Sequence, residues 1–386
     1  MALPAVTSNV VFEQGLSNFS FSLYNTVEKS GNEFISPYSI SAALLLLMLG
    51  TDGTTSNQLM SAIFKGEQPP DVHNGYKILN DKLTQKTNTG MTLSIANRLF
   101  GSQIFTLLDK YKIDALKYYG SEIELLDFAG KAEQSRQYIN NWISRQTRNK
   151  IRDIIPVGSL DANTIVVIAN AIYFKGTWKT KFEQKNTRKR NFFLSGRGQK
   201  QVDMMHGQFV TRSGESNQLK CKVLQLPYLG DKLSMILVLP NDRNTLPWVE
   251  NQLTSEKFES LLSSLRKQET IIQIPKFIVE ANYDLIPILK RLGITEIFDD
   301  SISDFTRMVT PNIKRVYVSD ARHKTYIEVN EEGSEAAAAT TIVVSTRSGS
   351  VKPRQPFQFI ADHPFMFLIR DNETGTILFS GRYTNP

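Results

Sequence analysis

Apolar positions recur along the chain in two distinct rhythms. Between Ile35 and Gly50 the sequence ISPYSISAALLLLMLG sets Ser36 at a capping position and Pro37 in the first turn, then runs apolar on every side. This pattern predicts a helix buried all round. In EQSRQYINNWISRQTRNKI, residues 133–151, the side chains of Tyr138, Ile139, Trp142 and Ile143 share one face with polar residues opposite, which predicts a helix lying on a surface. Thr164 to Phe174 is a continuous β-branched apolar run, as is Ser234 to Pro240. Both read as strands inside a sheet covered on its two faces. FMFLIRDNETGTILFSG, residues 365–381, reads as a hairpin turning through Asp-Asn-Glu-Thr-Gly. No repeat, low-complexity tract or dividing linker interrupts the pattern. The expected class is α+β in a single domain over 1–386, with helices early and strands concentrated late.

One segment fits neither rhythm alone. EEGSEAAAAT, residues 331–340, begins as a helix that Ser334 could cap through Ala336 to Ala339. It continues as Thr340 to Ser345, whose β-branched and small residues favour a strand. A stretch that suits both states is a candidate conformational switch.

Composition limits the chemistry. Of 386 residues 41% are hydrophobic and 22 are Phe, enough for a packed core. The longest apolar stretch, Ala42 to Leu49, is too short to span a bilayer, so no membrane partner is expected. The lone Cys221 excludes an internal disulfide or multi-thiolate metal site and reads as a core thiol. The four histidines, His73, His206, His323 and His363, are scattered, and no nucleophile elbow, HExxH, phosphate-binding or dinucleotide motif accompanies them. No enzyme, resident cofactor or metal is expected; His323 and His363 read as buried, hydrogen-bonded groups. The net charge of +7 is partly local, in Lys185, Arg188, Lys189 and Arg190 and in Arg145, Arg148, Lys150 and Arg152. Either cluster suits a heparin-like glycosaminoglycan. Neither is interleaved with aromatics, which argues against nucleic acid.

Seven segments together resemble the serpins along nearly the whole chain: NEFISPYSI (32–40), IANRLF (95–100), NNWISRQTRNKI (140–151), IANAIYFKGTW (168–178), ANYDLIPILKRLGITEIF (281–298), VSDARHKTYIEVNEEGSEAAAAT (318–340) and ADHPFMFLIRDNETGTILFSGR (361–382). Their order and spacing are those of the family. The resemblance implies three β-sheets, eight to nine helices and an exposed reactive loop at about 331–352. It also implies a monomeric suicide inhibitor. In this family the loop is bait until cleaved, and then inserts into the largest sheet as a new strand. Glu331, Gly333, Ser334, Glu335, Ala336, Ala337, Ala338, Ala339 and Thr340 match the hinge, where small residues tolerate exposure first and burial second.

By the family's spacing the scissile bond joins Arg347 to Ser348. An arginine there suits trypsin-like serine proteases, held as a covalent one-to-one complex. Ser36, Ser39, Asn170 and His323 match the shutter under the centre of the sheet, while Trp178 and Lys276, the latter pairing with Glu331, match the breach where insertion begins. The alternatives are a non-inhibitory carrier or chaperone and a cross-class inhibitor of cysteine proteases. The texture leans toward secreted serpins of invertebrate type. With sequons at Asn18 and Asn372, it leads to an extracellular glycoprotein, a mature form whose signal was replaced by Met1.

Overall fold

The computed structural model describes residues 5–65, 69–84, 91–121, 123–310, 316–333 and 355–386. The chain opens with α1 (Ala5–Thr26), β1 (Glu33–Ile35), α2 (Pro37–Met48), α3 (Gly53–Phe64) and α4 (Val72–Thr84). Every residue of α2 is buried, and Ser36 caps it by accepting the Ser39 amide, as its sequence predicts. Next come β2 (Met91–Ser102), α5 (Asp109–Tyr119), β3 (Glu124–Leu126) and α6 (Phe128–Gln146). In α6 Ile139 and Ile143 are buried and Trp142 is half-buried, whereas Tyr138 stays exposed and bonds Glu124 instead of the core.

The central strand β4 (Val166–Gly176) starts two residues later than its apolar run, because Thr164 and Ile165 are bonded elsewhere. The Thr164 hydroxyl accepts the Asp161 amide, and the Ile165 amide donates to the Ser319 hydroxyl. Then follow β5 (Arg188–Phe193), β6 (Gln199–Ser216), β7 (Cys221–Pro227), β8 (Leu233–Pro240), α7 (Leu246–Gln252), α8 (Ser255–Ser264), β9 (Arg266–Pro275), β10 (Phe277–Asp284) and α9 (Leu285–Arg291). The chain ends with β11 (Val318–Val329), β12 (Phe357–Ile360), β13 (Phe365–Asp371) and β14 (Ile377–Tyr383). The expected hairpin is β13 and β14. The three late helices, α7 to α9, depart from the expected early clustering; none exceeds ten residues, too few turns for a periodic signal.

The strands form two hydrogen-bonded networks among the described residues, with nine α-helices packed around them. One is five-stranded, in the order β10-β11-β4-β2-β3; the other is nine-stranded, β1-β14-β13-β8-β7-β6-β9-β12, with β5 on β6. The second and third expected sheets are fused because β6 serves both: Arg188–Phe193 and β9 pair with its earlier part, and β7 pairs with Arg212 to Ser216.

In the five-stranded sheet β4 is buried on both faces. Val167, Ala169, Ala171 and Tyr173 pack under α6 and the Ile151–Leu160 segment, while Ile168, Ile172 and Phe174 face the main core. The short strand β1 ties the two networks together. It pairs with β14, and Phe34 stacks on Phe379 at 4.8 Å and on Phe367 at 5.7 Å. Its amide donates to the Tyr283 hydroxyl on β10 and its carbonyl accepts from Thr325 on β11. Phe34→Ala is expected to destabilise the native form by about 3–5 kcal/mol. The first guanidinium-induced transition reports this; a loss below about 1 kcal/mol would mean that the stack does not join the sheets.

Candidate functional site

The site is the line along which β11 and β4 pair. They run parallel, in continuous register from Asp320 opposite Val167 to Ile327 opposite Phe174, with a one-residue shift between Val318, which faces Val166, and Asp320, and about 140 residues of chain separate them. Each belongs to its own flank: β11 is antiparallel to β10, and β4 to β2. A parallel ladder is somewhat less stable per residue than an antiparallel one. An extended segment entering antiparallel to both would restore each strand's hydrogen bonds and add its own.

A buried polar cluster bolts the middle of this line. His323 on β11 lies opposite Asn170 on β4, with Nδ1 2.6 Å from Asn170 Oδ1. Its Nε2 accepts the Ser36 amide at 3.0 Å, so the proton must reside on Nδ1, which donates to Asn170. Ser36 Oγ donates to the Leu378 carbonyl at 2.7 Å, and Asn170 Nδ2 donates to the Ser39 carbonyl at 2.7 Å. The Ser39 hydroxyl lies 2.8 Å from Asn97 Oδ1 and 3.0 Å from Asn170 Oδ1. Ser36, Ser39, Asn170 and His323 thus converge, all fully buried. Burial holds the imidazole neutral, its pKa lowered to about 3. Such groups are costly to leave unpaired, so the cluster either stays intact or exchanges all its partners.

A second group closes the end of the line where β11 leaves the sheet. Trp178, just beyond β4, stacks on Tyr228 at 4.6 Å and donates from Nε1 to the Asn330 carbonyl at 2.9 Å. The backbone amides of Trp178 and Phe182 donate to the carbonyls of Glu332 and Glu331. Glu331 is 7% exposed. Its Oε2 lies 2.9 Å from Lys276 Nζ and its Oε1 accepts from Thr187 at 2.7 Å. Burial raises its pKa, but the bonds from Thr187 and Lys276 outweigh that and hold the carboxyl below its usual range. Gly333 has φ +88°, and a Cβ there would stand 2.3 Å from the Gly176 carbonyl oxygen and 2.4 Å from the Trp178 nitrogen. Only glycine fits.

Ser334, Glu335, Ala336, Ala337, Ala338, Ala339, Thr340 and the bond Arg347–Ser348 lie outside the described residues. In the first basic cluster Lys185 meets Glu183 at 3.0 Å, Lys189 meets Asp203 at 3.1 Å, and Arg188 donates to the carbonyls of Lys185 and Thr187; Arg190 is exposed. In the second, Lys150 lies over the Tyr326 ring and Arg152 donates to the Asn149 carbonyl. Asn97, Thr187 and Asn330 are among the participants that escaped the sequence reading. Asn97 sits inside IANRLF as a polar residue in an apolar strand, a signal that was legible. Thr187 and Asn330 carry none.

A family model described as Serpin (serine protease inhibitor) matches residues 14–386. Human serpin B8 is 39% identical over 373 residues, covering 95% of this chain and 97% of its own. Human leukocyte elastase inhibitor is 38% identical over 363 residues, covering 92% and 94%. Among solved structures, uncleaved ovalbumin superposes with a TM-score of 0.87 at 28% identity, covering 97% of this chain and 100% of ovalbumin. These relatives correct the expectation of secretion, for serpin B8 and leukocyte elastase inhibitor are intracellular clade B serpins without signal peptides. Asn18 is half-buried inside α1 beside a buried Ser20 that bonds Leu16, and the Asn372 amide donates to the Asp231 carbonyl.

The His323 bolt makes stability depend on pH. Its pKa is lower in the closed sheet than the 6.5 of an open chain, so the unfolded state binds the extra proton. The contribution is complete above about pH 6.5 and is lost as pH falls from there toward about 3, by up to roughly 1.4 kcal/mol per unit. His73, lowered to about 4 by burial, acts in the same direction, so the comparison needs a variant. Thermal midpoints at pH 7.5 and 5.0 should differ more in the wild type than in His323→Gln, which is less stable at pH 7.5. Equal pH slopes in the two proteins would remove His323 from the account.

Proposed function

The chain belongs to the serpin family of serine protease inhibitors, and on that premise we propose that it inactivates trypsin-like serine proteases through Arg347. The observation that carries this reading is the direct parallel pairing of β11 with β4, a closed line with room in its hydrogen-bonding logic for one more strand. In the segment that follows Gly333, Ala336 to Thr340 are all small residues, without charge or proline that would resist burial. Fourteen extended residues, Ser334 to Arg347, reach roughly 46–50 Å. Strands of the length of β4 and β11 span roughly 36–40 Å, so an inserted loop would traverse the whole sheet.

The chemistry is that of an interrupted hydrolysis. The protease serine Oγ attacks the Arg347 carbonyl carbon, its proton passing to the protease histidine. That proton then reaches the Ser348 nitrogen as the Arg347–Ser348 bond breaks, leaving an ester between Arg347 and the protease. Insertion of residues 334–347 carries the ester across the sheet before water reaches it. Arg347 is a fixed cation suited to the aspartate at the base of a trypsin-like primary pocket. An apolar pocket would have to bury it unpaired, at a cost of several kcal/mol. A second reading is favoured by one relative, whose name gives leukocyte elastase as its target. Val343 and Val344 lie just upstream of Arg347 and suit a small apolar pocket.

Mixing the protein with trypsin should give a complex stable to denaturing gel electrophoresis and release the 39-residue peptide Ser348 to Pro386. Arg347→Phe should abolish trapping of trypsin while leaving insertion intact. A fragment beginning after Lys352 or Arg354 would show that the bond is misplaced. A fragment beginning at Ser345, released by elastase with a stable complex, would favour the second reading.

A further inference from the structure

The β6–β7 ladder runs from Ser216 opposite Cys221 only as far as Arg212 opposite Gln225. Beyond that point β6 continues along β9, with Phe209 opposite Thr270, whereas β7 continues along β8, with Leu226 opposite Met235. The strands part like a fork, and the gap between them is a cavity of about 430 Å³, within the range of small-ligand pockets. Its apolar wall is built by Trp178, Phe209, Val210 and Leu226. Val210 is 63% exposed, an apolar side chain between the exposed Gln208 and Arg212 on the same strand. At the mouth stand Lys179, Arg212, Lys267 and Asp231. Lys179 and Asp231 neutralise each other at 2.5 Å. Arg212 and Lys267, register partners on β6 and β9, have no carboxylate partner among the described residues. The floor is polar: Gln225 Nε2 donates to the buried Ser234 hydroxyl at 3.1 Å.

We propose that this fork binds a small amphipathic organic anion, its aromatic or alkyl body against Trp178, Phe209 and Val210 and its anionic head on Arg212 and Lys267. Trp178 links the site to the sheet, because the same residue holds the carbonyls of Asn330 and Glu332. A ligand packed on the indole in this position favours the form in which those bonds are made. Occupancy therefore slows opening of the β4–β11 line; this consequence, unlike the binding itself, rests on the insertion reading above.

The probe is 8-anilinonaphthalene-1-sulfonate, with N-phenyl-1-naphthylamine as its counterpart lacking the sulfonate. Fluorescence titration of the intact protein should show one saturable site for the sulfonate and binding about tenfold or more weaker for the neutral compound. Lys267→Glu and Val210→Asp, both at exposed positions, should weaken the sulfonate by about tenfold or more while trapping protease normally without ligand. The saturating sulfonate should also slow uptake of a synthetic peptide with the sequence of residues 334–347, and raise the number of inhibitor molecules consumed per trypsin inactivated. Equal binding of the two compounds, unsaturable binding, or unchanged affinity in both variants would overturn the site. Binding that leaves peptide uptake unchanged would overturn the coupling. If the protein trapped no protease at all, the titrations and peptide uptake would still decide the site and its coupling, while the inhibitory reading alone would fall.

Discussion

Two parallel strands that pair directly, β4 and β11, are the constraint on which the molecule is organised. They divide the five-stranded sheet into a pair, β11 with β10, and a trio, β4 with β2 and β3. Each part has its own attachments. Ile139 and Ile143 of α6 cover the buried residues of β4, whereas β11 is tied through Thr325 to β1. The line between them is held at its centre by His323 and Asn170 and at its end by the contacts of Trp178, Glu331 and Gly333. Apart from the stack of Trp178 on Tyr228, these are polar or backbone interactions. An apolar seam would be harder to part, because interdigitated side chains resist separation without refilling.

The two fastenings differ in physical kind. The centre is a dry network in which a neutral imidazole must offer both a donor and an acceptor, so it responds to protons. The end combines a partly shielded ion pair, backbone bonds to Asn330–Glu332 and a glycine at positive φ. Its Lys276 ammonium retains about a third of its exposure, so salt should weaken that pair before it touches the centre. A cavity bounded by the indole that holds the end gives small molecules access to the same equilibrium.

Much of the fold was legible where local chemistry and burial agree. Ser36 and Pro37 before an apolar run became the capped, wholly buried α2, and the run ending in Phe174 became the doubly covered β4. Legibility failed where tertiary contacts decide. Tyr138 shares the apolar stripe of α6 yet bonds Glu124 at the surface. Helices α7 to α9 are too short to display a period. Thr187 reaches Glu331 only because β5 lies beside the end of the sheet. The expectation of secretion failed because a three-residue sequon carries no information about cellular compartment; Asn18 and Asn372 are half-buried. Membership of the family was legible because it rested on seven segments in order, each constraining a different part of the structure.

For the protein to act as proposed, β4 and β11 must separate. Ile168 and Ala321 are register partners across the line, both buried. Neighbouring strands lie about 4.7–4.9 Å apart, within the Cα range of about 4.4–6.8 Å that a disulfide accepts. The native Cys221 is buried, with its thiol pKa pushed up to about 12, and does not compete. The decisive measurement is the yield of gel-stable trypsin complex from an Ile168→Cys, Ala321→Cys protein before and after reduction. Oxidised, the protein should be cleaved and release the enzyme active; reduced, it should regain the complex. An oxidised protein that holds trypsin in undiminished yield would contradict the account.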